Sequence, residues 1–401
     1  VTPMPQSTVI LVLALLLGLQ PVTTDLYLPA LPAITAGFGA SMSQAQLTLS
    51  ALVLAFGLSQ MVWGPLSDRF GRRPTLLIGM VAYVLASIGS AFSGSMEQLI
   101  AWRAVQGLAM GAGIVVARAI VRDLYDHLEG ARIMSKGLTG LGVFACLSAP
   151  VGGILTEFVG WKTALLALAV FGAVCLAVLI ARLEETLRQP NPNALRPGIL
   201  VKNWITIARS GSFWAFALLA TTSYGGLFTF LAASSFVYIQ VLGLSQSQYG
   251  FVMLSSSLAY ISGTFFCRWL LRRMSLTRTV KLGAFITLSA GSVQGLLALS
   301  GVDSIAALLV PWWFYMLGHG IHQPCGQSGA VAPFPQMAGA ASALSGLIMM
   351  STAFAIGSWL GVSLASTAGE ARTVLPMSQG IWFWSVVLAV VALTLVQKQK
   401  T

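Results

Sequence analysis

Apolar runs of membrane-crossing length recur along the whole chain, each ended by a short connection of glycine, proline and charged residues. About twenty apolar residues cross the roughly 30 Å hydrocarbon core of a bilayer as one helix. Charged residues make up only 8% of the 401, where a soluble protein carries about a quarter to keep its surface in water. The chain therefore lies in a membrane. Gly, Pro and charge punctuation yields spans at roughly 8–36, 44–66, 75–94, 97–121, 134–157 and 161–181. A second set follows at roughly 212–240, 247–270, 279–300, 304–328, 338–365 and 375–397.

The expected fold class is an all-α membrane protein of twelve transmembrane helices. Residues 182–211 hold Pro190, Pro192 and Pro197 with Arg188, Arg196, Lys202 and Arg209, and form the one connection long enough to be a linker. They separate an N-terminal six-helix half, 1–181, from a C-terminal half, 212–401. With the N-terminus in the cytoplasm, all but Arg103, Lys162 and Arg372 of the 22 lysines and arginines fall at inside ends. That bias puts both termini in the cytoplasm. The net charge of +11 is thus topology information, and no nucleic-acid partner is expected. Cys146, Cys175, Cys267 and Cys325 all lie in apolar runs without metal-site spacing and read as packing residues.

A weak repeat connects the halves. The second span exits through Gly64-Pro-Leu-Ser-Asp-Arg-Phe-Gly-Arg-Arg-Pro74, and the eighth through Arg268-Trp-Leu-Leu-Arg-Arg-Met274 followed by Arg278. Matching basic loops imply parallel repeats about an axis along the membrane normal, with substrate bound near the midplane between them.

The segment from Gly64 to Pro74 resembles the signature loop of the major facilitator superfamily, matched by Gly64, Asp68, Gly71, Arg72 and Arg73. The resemblance implies the major facilitator fold of two six-helix pseudo-repeats. It also implies a charge cluster between this loop and an acid ending helix 4, here Asp123, that steadies the outward-open state. Arg103-Ala-Val-Gln106-Gly107 is similar to the family's helix-4 motif. Pro150-Val-Gly152-Gly153 is similar to the antiporter motif of helix 5, departing from it at Ala149 and Ile154. More closely, the chain resembles the Bcr/CflA drug:proton antiporters. Thr24-Asp25-Leu-Tyr27-Leu-Pro29-Ala-Leu-Pro32, Arg118-Ala-Ile-Val-Arg122-Asp123, Ala332-Pro-Phe-Pro335 and Ala338-Gly-Ala-Ala-Ser-Ala-Leu344 carry that likeness. It implies export of bicyclomycin- or phenicol-type antibiotics from a bacterial inner membrane.

Asp25 is the only carboxylate well inside a span, and a charge there is costly enough to be a functional candidate by default. It lies about 24 Å from the cytoplasmic start of helix 1, and Arg103 about 9 Å in from the outside, so the two can share a depth. Burial of a carboxylate and an arginine beside it act in opposite directions on proton binding. The pair reads either as a proton-coupling site, the role the resemblance implies, or as a structural ion pair.

His319 and His322 stand three apart on helix 10 beside Gln323 and Pro324. They read as a second proton site or as polar packing and cavity lining. A metal would need further ligands that no span supplies as a cluster. Tyr224 and Phe228 of helix 7, with Tyr27, Gln60 and Gln106, are packing residues or the wall of a drug cavity.

No nucleotide-binding motif, phosphate loop or Ser-His-Asp ordering appears, so no cofactor is expected and an ion gradient supplies the energy. The expected activity is proton-coupled drug efflux by a monomer, its partners being small-molecule drugs, protons and the lipid bilayer. The alternatives are a major facilitator importer or exporter of a metabolite, a membrane-embedded enzyme using the two histidines on a metal, and a receptor.

Overall fold

Inside hydrocarbon a backbone must satisfy its own hydrogen bonds, and the apolar runs do so as helices. The computed structural model describes residues 4–366 and 374–399, among which every regular element is helical. Arg372 and the extreme termini lie outside the described residues. The first span is a broken pair, α1 (Gln6–Asp25) and α2 (Leu31–Phe38), joined by a 3₁₀ turn at Leu28–Ala30. Next come α3 (Met42–Phe70), α4 (Arg72–Ala91), α5 (Met96–Leu124), α6 (His127–Phe158) and α7 (Trp161–Arg182). The expected linker contains a short helix, α8 (Pro197–Ala208). The second set is α9 (Gly211–Ser235), α10 (Gln246–Leu271), α11 (Leu276–Leu299), α12 (Ile305–Val331), α13 (Ala338–Ser366) and α14 (Leu375–Thr394). A π-turn, Phe236–Val241, extends α9.

Helix starts follow from local chemistry. Ser41, Ser95, Asp126, Ser210, Ser245, Ser275 and Ser304 each accept the backbone N–H three residues on. Each cap thereby satisfies an N–H that has no partner within its helix. Ser41 with Gln44 and Ser245 with Gln248 form full capping boxes at the starts of α3 and α10. These are corresponding helices of the two sets, a further trace of the repeat.

Eleven spans among the described residues combine membrane length with high hydropathy. The remaining long helix is α12, where Trp312, Trp313, Tyr315, His319, His322 and Gln323 dilute the apolar content. Its 27 residues rise about 40 Å, enough to cross, and it packs among α9, α10 and α11. The twelve-helix expectation stands, although the spans are less uniformly apolar than composition suggested.

The first and second sets meet through α3 against α13 and α6 against α10. By the alternation of the spans, the start of α1, the end of α14 and the basic connections after α3 and α10 lie at one end of the bundle, called here the basic end. Small residues permit the close approaches. A methyl group added at Gly107 would strike the Leu52 carbonyl of α3, and one at Gly111 would strike the Ser59 hydroxyl. Gly152 packs in the same way on the Leu26 carbonyl at the break of the first span, and Gly153 on the Gln246 carbonyl of α10. The Pro150–Gly153 motif is therefore a joint where α6 meets both the broken span and the second half.

Gly107→Ala is expected to destabilise the protein by about 1–3 kcal/mol through overpacking. Gly198→Ala, where an added methyl meets open space, is expected to be neutral. Thermal unfolding of the two variants in detergent checks the difference.

Candidate functional site

Pro29 decides where the first span breaks. A proline inside a helix lacks the N–H that would bond four residues back, and its ring clashes with that carbonyl. Four residues before Pro29 is Asp25, the last residue of α1. The carboxylate thus stands at a discontinuity in the membrane, where irregular backbone is tolerated only against protein or a wet cavity. Asp25 is partly exposed, although its neighbours Thr24, Leu26 and Tyr27 are buried. The Thr24 hydroxyl donates to its Oδ1 at 2.8 Å.

Arg103 does not pair with Asp25. The three ion pairs among the described residues all lie in the cluster around Arg72. Arg103 is fully buried, its Nη1 donating to Gln106 Oε1 at 2.6 Å and its Nη2 to the Thr23 carbonyl at 3.1 Å. Its guanidinium lies 4.2 Å from the centre of the Tyr27 ring, a cation–π contact. Gln106 in turn donates to Ser87 Oγ at 2.7 Å, and Tyr27 donates to Thr48 Oγ1 at 2.8 Å. Arg103 thus meets the chain on either side of Asp25 without meeting its carboxylate, a direction that residue spacing does not specify. The arginine grips the chain two residues before and two residues after Asp25, and so positions the break. Tyr27 and Gln106, expected as candidate cavity wall, are buried partners of this guanidinium.

Tyr224 and Tyr249 stand within electrostatic reach of Asp25 from the second half. Tyr224 stacks near Phe228 with ring centroids 6.2 Å apart, and the Tyr249 hydroxyl shares a 2.7 Å hydrogen bond with Ser234. The Asp25 break therefore faces an aromatic wall across the interface. Tyr249 was missed: it sits in the first turn of α10, and no local pattern separates it from an interfacial aromatic. Gln60 lies against Gly346 of α13, also across the interface.

The two histidines do not act as one group. His319 Nδ1 shares a 2.8 Å hydrogen bond with Ser223 Oγ of α9, and its ring lies 5.4 Å from that of Tyr260. His322 turns instead toward Gly283 of α11. Gln323 donates to the Met349 sulfur at 3.4 Å.

At the basic end the signature loop closes as a charge cluster. Arg72 is 2% exposed. Its Nη1 meets Asp68 at 2.6 Å, and its Nε and Nη2 meet the two oxygens of Asp123 at 2.8 and 3.4 Å. Gly71 adopts φ 105°, a region that favours glycine. Glu185, beyond α7, completes the cluster by accepting the backbone N–H groups of Arg72 and Arg73 at 2.9 and 3.1 Å. A carboxylate at a helix N-terminus satisfies free amides and complements the helix dipole. A side chain at Gly71 would run into Glu185, 2.6 Å from its Oε2. Arg73 also donates to the Ile180 carbonyl at 3.2 Å. Glu185 escaped the sequence reading because it lies 113 residues from Arg72 and follows no periodicity.

The bundle of membrane spans thus has a broken helix at the interface of its two halves and a charge cluster at one end. The Major Facilitator Superfamily profile matches residues 13–358, and the chain belongs to that family; it is a transporter rather than an enzyme. It is 29% identical over 396 residues to a bicyclomycin resistance protein homologue of Haemophilus influenzae, covering 96% of each chain. It is 30% identical to multidrug resistance protein D of Escherichia coli, covering 84% of each, and 25% identical to a chloramphenicol resistance protein of Pseudomonas aeruginosa, covering 80% of this chain and 75% of that one. Its fold superposes on a crystal structure of a D-xylose–proton symporter with a TM-score of 0.74 at 14% identity, covering 96% of each.

Arg72→Ala and Glu185→Ala act on the same cluster, and both are expected to loosen the basic end. Arg72→Ala removes charge-assisted hydrogen bonds worth about 1.5–3 kcal/mol each. Distances between spin labels on the basic ends of α3 and α13 should broaden or shift in both variants. An unchanged distribution with reduced transport would remove the gating role from these residues.

Proposed function

We propose that the protein exports drugs across a bacterial inner membrane in exchange for protons, by alternating access between its two six-helix halves. The names borne by its relatives support drug export, with bicyclomycin- and phenicol-type compounds the first substrates to try. Both termini lie in the cytoplasm on this reading, which makes the basic end the cytoplasmic one, and the transporter works as a monomer. The observation that carries the proposal is Asp25: a partly exposed carboxylate at a helix break, facing an aromatic wall across the interface.

The cycle follows from charge. Ionised Asp25 attracts the polar or cationic part of a drug while the aromatic residues cover its apolar part. A proton arriving from outside removes that charge, and the drug leaves. Loss of the proton toward the cytoplasm restores the site. Arg103 serves this cycle as a positioning residue, holding the Thr23 carbonyl and the Tyr27 ring on either side of the break. The Arg72 cluster closes the cytoplasmic end while the outside is open. A conformational shift of this kind needs each ligand to favour one state over the other, and the charge on Asp25 supplies that difference.

Asp25→Asn keeps the shape of the side chain and cannot titrate. Drug-dependent proton movement in proteoliposomes, screened across antibiotic classes, is expected to fall at least tenfold, with the thermal unfolding midpoint retained. Proton movement at the wild-type rate would place coupling elsewhere.

A further inference from the structure

Hydroxyls in these helices usually donate to the carbonyl one turn back, as those of Thr35, Ser50, Ser87 and Thr156 do. Thr279 and Thr287 of α11 depart from this habit. Both are fully buried, and neither Oγ1 has a hydrogen-bond partner. With Gly283 between them they form one stripe at four-residue spacing on α11, which packs against both α12 and α14. Toward α12, Gly318 packs on Thr287, and a methyl added at Gly283 would lie 2.8 Å from His322 Nε2. His322 is fully buried with both ring nitrogens unpartnered. The Val280 carbonyl lies beside the ring without meeting it in hydrogen-bond geometry. Four unmet donors and acceptors thus face one narrow seam.

Buried polar groups find partners, either in the protein or in internal water. We propose that the seam between α11 and α12 holds a second, hydrated proton-binding site, centred on His322, with Thr279 and Thr287 as its water anchors. Thr279 stands one turn into α11, toward the basic end. Toward the opposite end Gly291 packs on Ser385 of α14, whose hydroxyl donates to the Trp382 carbonyl at 2.6 Å, and beyond it Gln294 is fully buried with neither amide atom partnered.

Few ionisable groups surround His322. No Asp or Glu lies within any of the helices α9 to α14, and Asp303 stands in the turn before α12. On α12 the ionisable neighbours are His319, Cys325 and Tyr315. From α10 come Tyr260, against His319, and Cys267, against Cys325, with Arg268 beside Cys267. α11 contributes Arg278 and Lys281 near the basic end, with Lys281 exposed, α9 contributes only Tyr224, which faces Asp25, and α13 and α14 contribute none. Histidine alone among these ordinarily changes charge between about pH 5 and 8. His319 shares a hydrogen bond with Ser223, whereas neither ring nitrogen of His322 has a partner. The site stands whether or not Asp25 couples transport.

The test uses full-length protein carrying ¹⁵N-histidine in phosphatidylethanolamine–phosphatidylglycerol nanodiscs, with His127→Gln removing the third histidine. Ring nitrogen resonances are followed from pH 5 to 8, together with exchange of the ring protons with water. His322 is expected to gain a second ring proton within that range and to exchange at least tenfold faster than His319. Thr279→Val combined with Thr287→Val should slow exchange at His322 at least tenfold and leave His319 unchanged. A His322 ring that stays neutral throughout, or exchanges no faster than His319, overturns the proposal and makes the seam dry packing. That comparison of the two rings in the otherwise unaltered protein decides the matter even if the double variant fails to fold.

Discussion

Hydrocarbon offers no hydrogen-bond partner, and the architecture answers to that fact. Backbone groups are closed into helices, hydroxyls fold back onto carbonyls, and the Arg103 guanidinium is received by a carbonyl, an amide oxygen and an aromatic face. Against this background the departures carry information. The first span unwinds after Asp25, the seventh passes into a π-turn at Phe236–Val241, and α11 leaves two threonine hydroxyls unmet. The broken span and the π-turn occupy corresponding positions in the repeat. Both lie on the side of the bundle opposite the basic end, where α2 packs against the π-turn. A regular helix resists local rearrangement, and two irregular segments in contact give the interface a place to change shape.

The span pattern was legible because hydropathy and bilayer thickness act on the chain one segment at a time. Asp25 was legible for the same reason, since a lone carboxylate in an apolar run is conspicuous. The break beside it was also written in the chain, in the four-residue spacing of Asp25 and Pro29. What spacing cannot supply is azimuth. Arg103 has the depth of Asp25, but its head turns to Gln106, Thr23 and Tyr27. His319 and His322 are three apart, yet one meets α9 and the other α11. Glu185 and Tyr249 enter the site from distant segments, and only tertiary packing brings them there.

The charge cluster at the basic end shows how local and distant signals combine. Gly64 to Pro74 is a contiguous motif, but its closure needs Asp123 from α5 and Glu185 from beyond α7. Three separate helices end within reach of one arginine. Asn191, farther along the connection, donates to the Asp68 carbonyl at 2.9 Å. The segment that leads into the second half is therefore stitched to the loop that the first half closes on, which gives movement of one half a direct mechanical route to the other.

The modest hydropathy of α12 bears on how the protein is made. A segment carrying two histidines, two tryptophans, two glutamines and two prolines gains little by entering the bilayer on its own, because polar side chains oppose partition into lipid. Its partner α11 ends at Leu299 and α12 begins at Ile305, with Gly301 at φ 73° turning the chain between them. So short a turn lets the two helices enter as a hairpin, with His322 of α12 already against Gly283 of its neighbour. The residues that equip this helix for chemistry thus make its birth a joint act, and the order of synthesis, α11 immediately before α12, is part of what makes the fold reachable.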